Sequence, residues 1–291
     1  MNPDAAAAED LGEVGSYYER ILPFYELEVL GRRDLAFWRG LCRRFRPRSV
    51  LEIGAGLGRV TVELAPLAGR AVGLEPSMAM LARARRRPAR GKIDLLAGDA
   101  RSLPFASCFD LVVAPDDPLC HVTSLDERRT ALREIAGCLA PGGRFVLETL
   151  RLAPDAPRRR TRRVRDGDAV LVVDETWSPV APALWRATFR YRLRDRAGDR
   201  TAQASFLARP WDAATLEPLF AAAGLAIETI WGDFSGGPFR ADSERRIVLA
   251  RSATTARASA EEASPRRRAA ARGTRSRAAR RADTDKASRA C

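Results

Sequence analysis

The stretch Val50 to Pro66, reading VLEIGAGLGRVTVELAP, constrains the chain most: an apolar strand runs into a glycine-rich turn, and a helical pattern opens at once behind it. Glycines in such a turn adopt positive φ at no steric cost and leave no side chain between the backbone and a ligand. A dinucleotide fingerprint would place its third glycine at position 59, but Arg59 stands there and the third glycine is Gly58. Glu52, two residues ahead of Gly54, would repel a pyrophosphate and suits a cationic amino group. The turn therefore favours an adenosine compound with a positive end and no phosphate.

Further segments follow in order. Gly73-Leu74-Glu75 closes a second strand and sets Glu75 about twenty residues past the turn, where an acidic residue takes ribose hydroxyls. Then come Leu95-Leu96-Ala97-Gly98-Asp99-Ala100, Phe109 to Asp116 (FDLVVAPD) and Leu139 to Leu147 (LAPGGRFVL). Together these segments resemble the class I methyltransferases that use S-adenosylmethionine, over roughly residues 35 to 250. The resemblance implies a Rossmann-like α/β fold: a doubly wound seven-stranded sheet, last strand antiparallel, with a small antiparallel β insertion after strand five. It implies S-adenosylmethionine as cofactor, with contacts from Glu52, Gly54, Ala55, Gly56 and Gly58, from Glu75, Pro76 and Met78, from Asp99 and Ala100, and from Ala114 and Pro115. Asp99 matches the residue beside the adenine amino group.

With 291 residues and 46% hydrophobic content, the chain can bury one large core with an elaboration. No run of about 18 apolar residues occurs and the start has no basic n-region, so neither a membrane span nor a signal peptide is expected, and the expected location is the cytoplasm. The five cysteines include no C-x-x-C pair, and with one histidine no zinc spacing exists, so no metal is expected. Cys291 reads as a free terminal thiol, and the other four as core or site-lining residues in a reducing compartment. Of the net charge of +13, residues 251 to 291 carry 12 basic and 4 acidic side chains, or +8, so most of the basic excess is a tail.

Residues 1 to 14 lack apolar periodicity and are expected to be disordered, and the methyltransferase domain to span 15 to 251. Tyr17, Tyr18, Ile21, Leu22, Phe24 and Tyr25 form an aromatic cluster, either a lid or a packed helix, which Pro23 should end. Leu35, Trp38, Cys42 and Phe45 recur at helical spacing, and Ser124-Leu125-Asp126-Glu127 is a capping box. Residues 151 to 209 form the insertion. There Pro154 to Gly167 reads as an arginine-rich loop, followed by three β-rich runs, the last two joined at Asp195 to Asp199 as a hairpin. Trp177, Trp185, Phe189, Tyr191 and Phe206 either line an acceptor pocket beneath this small sheet or fill its core. Asp212 or Thr215 caps a further helix, two strands follow, and residues 252 to 291, Ala and Arg rich, cannot fold alone.

Methyl transfer is an in-line displacement that needs mainly orientation and exclusion of water. A base for the acceptor proton would come from the loop after strand four, where His121 and Asp116 are the candidates and Asp117 reads better as a loop anchor. His121, with an ordinary pKa near 6.5, would accept a proton at neutral pH. The reading is transfer of a methyl group from S-adenosylmethionine to N or O of a small-molecule acceptor, by a monomer or homodimer without membrane partners. The alternatives are an RNA or protein methyltransferase that docks through the basic tail, where alone nucleic acid could bind, and a non-catalytic S-adenosylmethionine-binding protein.

Overall fold

The computed structural model describes residues 3–152 and 157–253, with side chains from residue 16 onward. At its centre lie β1 (Ser49–Ile53), β2 (Arg70–Glu75), β3 (Ile93–Ala97), β4 (Phe109–Ala114) and β5 (Leu139–Leu150). They join β10 (Leu225–Trp231) and β11 (Arg245–Ser252) in one seven-stranded sheet of order β10-β11-β5-β4-β1-β2-β3. β1 pairs in parallel with both β2 and β4, and β11 runs antiparallel to both β5 and β10. The inner strands read as unbroken apolar runs because helices cover both faces: Leu51, Val72, Val112 and Leu147 are fully buried.

The helices are α1 (Pro3–Glu28), α2 (Leu35–Phe45), α3 (Arg59–Leu64), α4 (Met78–Ala84), α5 (Leu125–Cys138) and α6 (Ala213–Ala222). Ser77 caps α4 and Ser124 caps α5, each accepting from the backbone N–H three residues on. Glu127 does not close the capping box; its carboxylate takes Arg101 Nη1 at 2.6 Å instead. Asp212 is the cap of α6, accepting Thr215 N at 2.7 Å. The start differs from expectation, since α1 already begins at Pro3 and continues through Pro23. Alanines 5 to 8 are the strongest helix formers. Burial of Tyr17, Ile21 and Phe24 against the second sheet outweighs the roughly 3 kcal/mol that an interior proline costs.

That second sheet is an antiparallel meander of β6 (Arg158–Asp166), β7 (Ala169–Ala181), β8 (Leu184–Asp195) and β9 (Gly198–Ala208). The hairpin at Asp195 to Gly198 is where the sequence puts it. The arginine-rich segment is not a loop but the edge strand β6, paired with β7 from Arg158↔Trp177 to Asp166↔Ala169. Its run of charge hid its period, yet an edge strand tolerates arginines well. In β8, Trp185, Ala187, Phe189, Tyr191 and Leu193 point inward while the intervening arginines point out. β11 ends at Ser252, one residue beyond the expected domain limit, and the tail from residue 254, with Cys291, lies outside the described residues. No helix among the described residues is long and apolar enough to cross a membrane.

Asp34, ahead of α2, fixes that helix to α3: its carboxylate takes both terminal nitrogens of Arg59 at 2.7 Å and Trp38 Nε1 at 2.9 Å. Burial pushes its pKa up, but the Arg59 pairing and the Trp38 bond prevail and hold it below the ordinary value. The stability this adds is present above pH 4 and is lost as pH falls through the lowered folded-state value. Asp34→Ala strands a nearly buried guanidinium and is expected to cost about 3 kcal/mol in urea unfolding at pH 7; a loss below about 1 kcal/mol would show that Arg59 finds water instead.

Candidate functional site

The three turn glycines all adopt positive φ: Gly54 at 69°, Gly56 at 54° and Gly58 at 69°. They are not equivalent. A Cβ on Gly54 would stand 2.5 Å from Pro118 Cβ, and one on Gly58 3.3 Å from Ala84 Cβ, so these positions are filled by the protein itself. At Gly56 no atom of the described residues lies within 4 Å of such a Cβ, so its place opens onto a cavity. Gly56 N donates to Glu75 Oε2 at 2.8 Å and Ser77 N to Glu75 Oε1 at 2.9 Å. Burial raises the Glu75 pKa against the lowering effect of these two N–H groups.

A narrow cavity of about 100 Å³ lies against this turn, walled by Gly54, Gly56, Glu75, Pro76, Asp99, Ala100 and Pro115. Met80, Leu119 and Val122 supply its apolar side. Among the described residues no Arg or Lys lines it. The set suits S-adenosylmethionine: carboxylates that accept hydrogen bonds, a glycine that lets the backbone come close, an apolar slot, and nothing to neutralise a phosphate. Asp99 is itself held by Arg101, whose Nη2 lies 2.7 Å from its Oδ2.

Several expected contacts lie elsewhere. Glu52 lines neither cavity; it is buried beneath the turn, where Thr61 Oγ1 donates to it, and burial pushes its pKa up to about 8. The reason is register, since Glu52 pairs with Gly73, whose lack of a side chain leaves room for Thr61. Ala55 and Ala114 are packed core, and Gly58 starts α3 without meeting the cavity. Met78 is 59% exposed and the buried methionine is Met80. Helical periodicity could have flagged this, for Met80, Leu81 and Ala84 form the inward stripe behind the Ser77 cap.

A larger cavity of about 530 Å³ opens between the carboxyl edge of the main sheet and the second sheet. Trp177, Phe189 and Phe206 line it, while Trp185 and Tyr191 belong to the core. Tyr18, Tyr25, Asp116 and His121 line both cavities and form the partition between them. Asp116 and Asp117 are both in the left-handed region, at φ 60° and 55°, which costs on the order of 1 to 3 kcal/mol each. They are held there: Asp116 N donates to Glu148 Oε2 at 2.8 Å, Arg32 Nη1 lies 2.5 Å from Asp116 Oδ2, and Trp211 Nε1 donates to Asp117 Oδ1 at 3.0 Å. Asp117 is thus a loop anchor, and its burial raises its pKa to about 7.

His121 Nε2 lies 3.2 Å from Tyr18 Oη, and the ring packs on Phe206 with centroids 4.4 Å apart. Its Nδ1 is buried without a hydrogen-bond partner among the described residues. Burial pushes the imidazole down to about 4, with Asp116 opposing the shift, so the ordinary value expected from sequence does not hold. At neutral pH the ring is neutral, with one nitrogen able to accept a hydrogen bond.

Residues 50–143 match the family model described as a methyltransferase domain. The demethylmenaquinone methyltransferase of Mycobacterium marinum is 34% identical over 150 residues, 49% of this chain and 62% of that protein. The C-methyltransferase UbiE of ubiquinone/menaquinone biosynthesis from Syntrophotalea carbinolica is 33% identical over 164 residues, 50% of this chain and 64% of that protein. The chain thus spans less than two thirds of these relatives' length. The amino pentose methyltransferase CalS10 of Micromonospora echinaspora, solved bound to S-adenosylmethionine, superposes with a TM-score of 0.65 at 24% identity, covering 78% of this chain and 96% of that one. DesVI of Streptomyces venezuelae gives 0.66 at 23% identity with the same coverage. These structural likenesses carry the fold.

Glu52 offers a check on the buried base of the turn. An acid with a raised folded-state pKa binds more protons folded than unfolded, so its contribution falls as pH rises from about 4.5 to 8. Glu52→Gln is expected to flatten the stability loss across that window, by up to on the order of 4 kcal/mol at pH 8. Denaturant midpoints of both proteins from pH 5 to 8 decide it, and parallel curves would show that Glu52 stays charged.

Proposed function

We propose that the chain is a class I S-adenosylmethionine-dependent methyltransferase that transfers a methyl group from that cofactor to N or O of a polar small-molecule acceptor. One observation carries the reading: a cavity suited to the cofactor and a larger one suited to an acceptor meet at four shared side chains, Tyr18, Tyr25, Asp116 and His121. When bound, S-adenosylmethionine supplies an electrophilic methyl group on a sulfonium. Glu75 would take the ribose hydroxyls, Asp99 the adenine amino group, and the backbone at Gly56 a close approach.

The chain's own part is orientation and proton acceptance. In-line displacement needs the acceptor atom behind the methyl group at near contact. The partition is where such an atom would meet it, with Tyr18 and Tyr25 excluding water from the apolar side. His121 Nδ1 can accept the acceptor's N–H or O–H hydrogen bond, and Tyr18 Oη, bonded to Nε2, orients the ring. Asp116, paired with Arg32, stabilises positive charge that develops at the acceptor atom or on the imidazole. A second reading, C-methylation of a quinone, comes from the names of the relatives above. Seven arginines among the side chains lining the larger cavity favour a polar acceptor instead.

Calorimetric titration with S-adenosylmethionine, its demethylated product and NAD is the primary test, with the first two binding and NAD silent. Gly56→Val should abolish binding, since its side chain enters the cavity, at a backbone-strain cost of about 1 to 3 kcal/mol for the positive φ that a urea unfolding curve reads separately; retained affinity in the folded variant sinks the cofactor reading. An acceptor screen with labelled methyl groups then measures turnover. His121→Asn is expected to keep cofactor affinity and lower kcat by roughly 10²-fold. Because His121 is neutral above about pH 4, its acidic limb should lie near 4. A limb near 7 that Asp117→Asn removes would belong to Asp117 instead.

A further inference from the structure

β6 brings more positive charge to the larger cavity than that cavity's carboxylates answer. Alternate residues of a strand share a face, and Arg158, Arg160, Arg162 and Val164 all line the cavity. Arg162 is neutralised, with Nη2 2.6 Å from Glu28 Oε1 and 3.5 Å from Glu175 Oε2. Arg32 is matched by Asp116 and Arg245 by Glu148. Arg33, Arg158 and Arg163 also line the cavity, and among the described residues none has a carboxylate within ion-pair distance, while Arg160 reaches only Glu244, at 4.0 Å.

A second observation points the same way. Arg162 Nε in this wall is a buried donor without a hydrogen-bond partner among the described residues, which an anionic ligand would satisfy. The arginines also belong to the reacting corner. Trp177, the strand partner of Arg158, has its ring 5.9 Å from Phe206, and Phe206 lies 4.4 Å from His121. Guanidinium groups match phosphate oxygens in a bidentate manner, and a shared anion removes the repulsion among them.

We propose that the methyl acceptor is a phosphate-bearing small molecule whose anionic group is held by Arg33, Arg158 and Arg160 while its reacting end lies at His121 and Asp116. This rests on the methyl-transfer reading for the word acceptor alone; the anion site stands on the arginines. Its rival is diffuse binding of nucleic acid to a basic surface, and β6 supplies the control, because Arg159 and Arg165 are exposed on the same strand and do not line the cavity.

Inorganic pyrophosphate is titrated by calorimetry into the full chain and into two double variants, Arg158→Ala/Arg160→Ala and Arg159→Ala/Arg165→Ala, at one fixed salt concentration. Each variant removes two charges, so any contribution from the tail is the same in both. The inward pair is expected to weaken pyrophosphate by about tenfold or more and the outward pair by less than about twofold. Equal weakening by both pairs, or by neither, overturns the site. So does a single-stranded oligonucleotide whose binding needs the inward pair when pyrophosphate does not bind. S-adenosylmethionine titrated into the same samples separates the failures: unchanged affinity in the inward variant shows an intact fold, and no affinity in the unmodified protein defeats the methyltransferase reading while leaving the pyrophosphate result standing. Should the alanine pair not fold, Arg158→Gln/Arg160→Gln keeps side-chain length and removes the same charge.

Discussion

The carboxylate of Glu75 ties together three pieces of backbone around the cofactor-sized cavity. One oxygen accepts Gly56 N from the turn after β1, the other accepts Ser77 N at the start of α4, and the side chain itself ends β2. The turn can then hold its left-handed glycines, α4 can place Met80 on the cavity wall, and the cavity acquires a fixed floor. A buried acid is costly unless its oxygens are satisfied. Here satisfying them is the same act as shaping the site.

The partition between the cavities follows similar logic with more strain. Two consecutive aspartates in left-handed conformation persist only where the surroundings over-determine them. Glu148 receives Asp116 N, Arg32 faces the Asp116 carboxylate, and Trp211 donates to Asp117. Arg128 supports the anchor from behind, fully buried, its guanidinium 4.2 Å from the Trp211 ring centroid and its Nε donating to Val122 O at 3.0 Å. Buried charges of this kind contribute more to a unique geometry than to net stability.

Most of the fold was legible because it is written in short-range signals. Glycine spacing after β1, the serine caps at 77 and 124, and apolar runs at strand length each depend on neighbours within a few residues. What escaped depended on tertiary context. The edge strand β6 shows no apolar alternation, and its inward Arg162 is answered by Glu28 and Glu175 from distant parts of the chain. Helix α1 runs through Pro23 because a sheet formed some 150 residues later buries its aromatic face. Glu75, Asp99, Asp116 and His121, singled out from their positions in the sequence, line the cavities. Glu52 does not, because its direction is decided by the space left at Gly73, and the low basicity of His121 comes from rings that the sequence does not show to be adjacent.

Helix α1 presents two faces to two different neighbours. Tyr17, Ile21 and Phe24 hold it to the second sheet, while Tyr18 and Tyr25 stand in the wall of both cavities. A single rigid element therefore belongs to both ligand equilibria, and a shift of α1 that widens one chamber reshapes the other. Linkage then requires that whatever affinity the first ligand gains by settling this helix is returned to the second in equal measure. On the methyl-transfer reading the tyrosines would couple the occupancy of the two chambers even though no single side chain need touch both ligands at once.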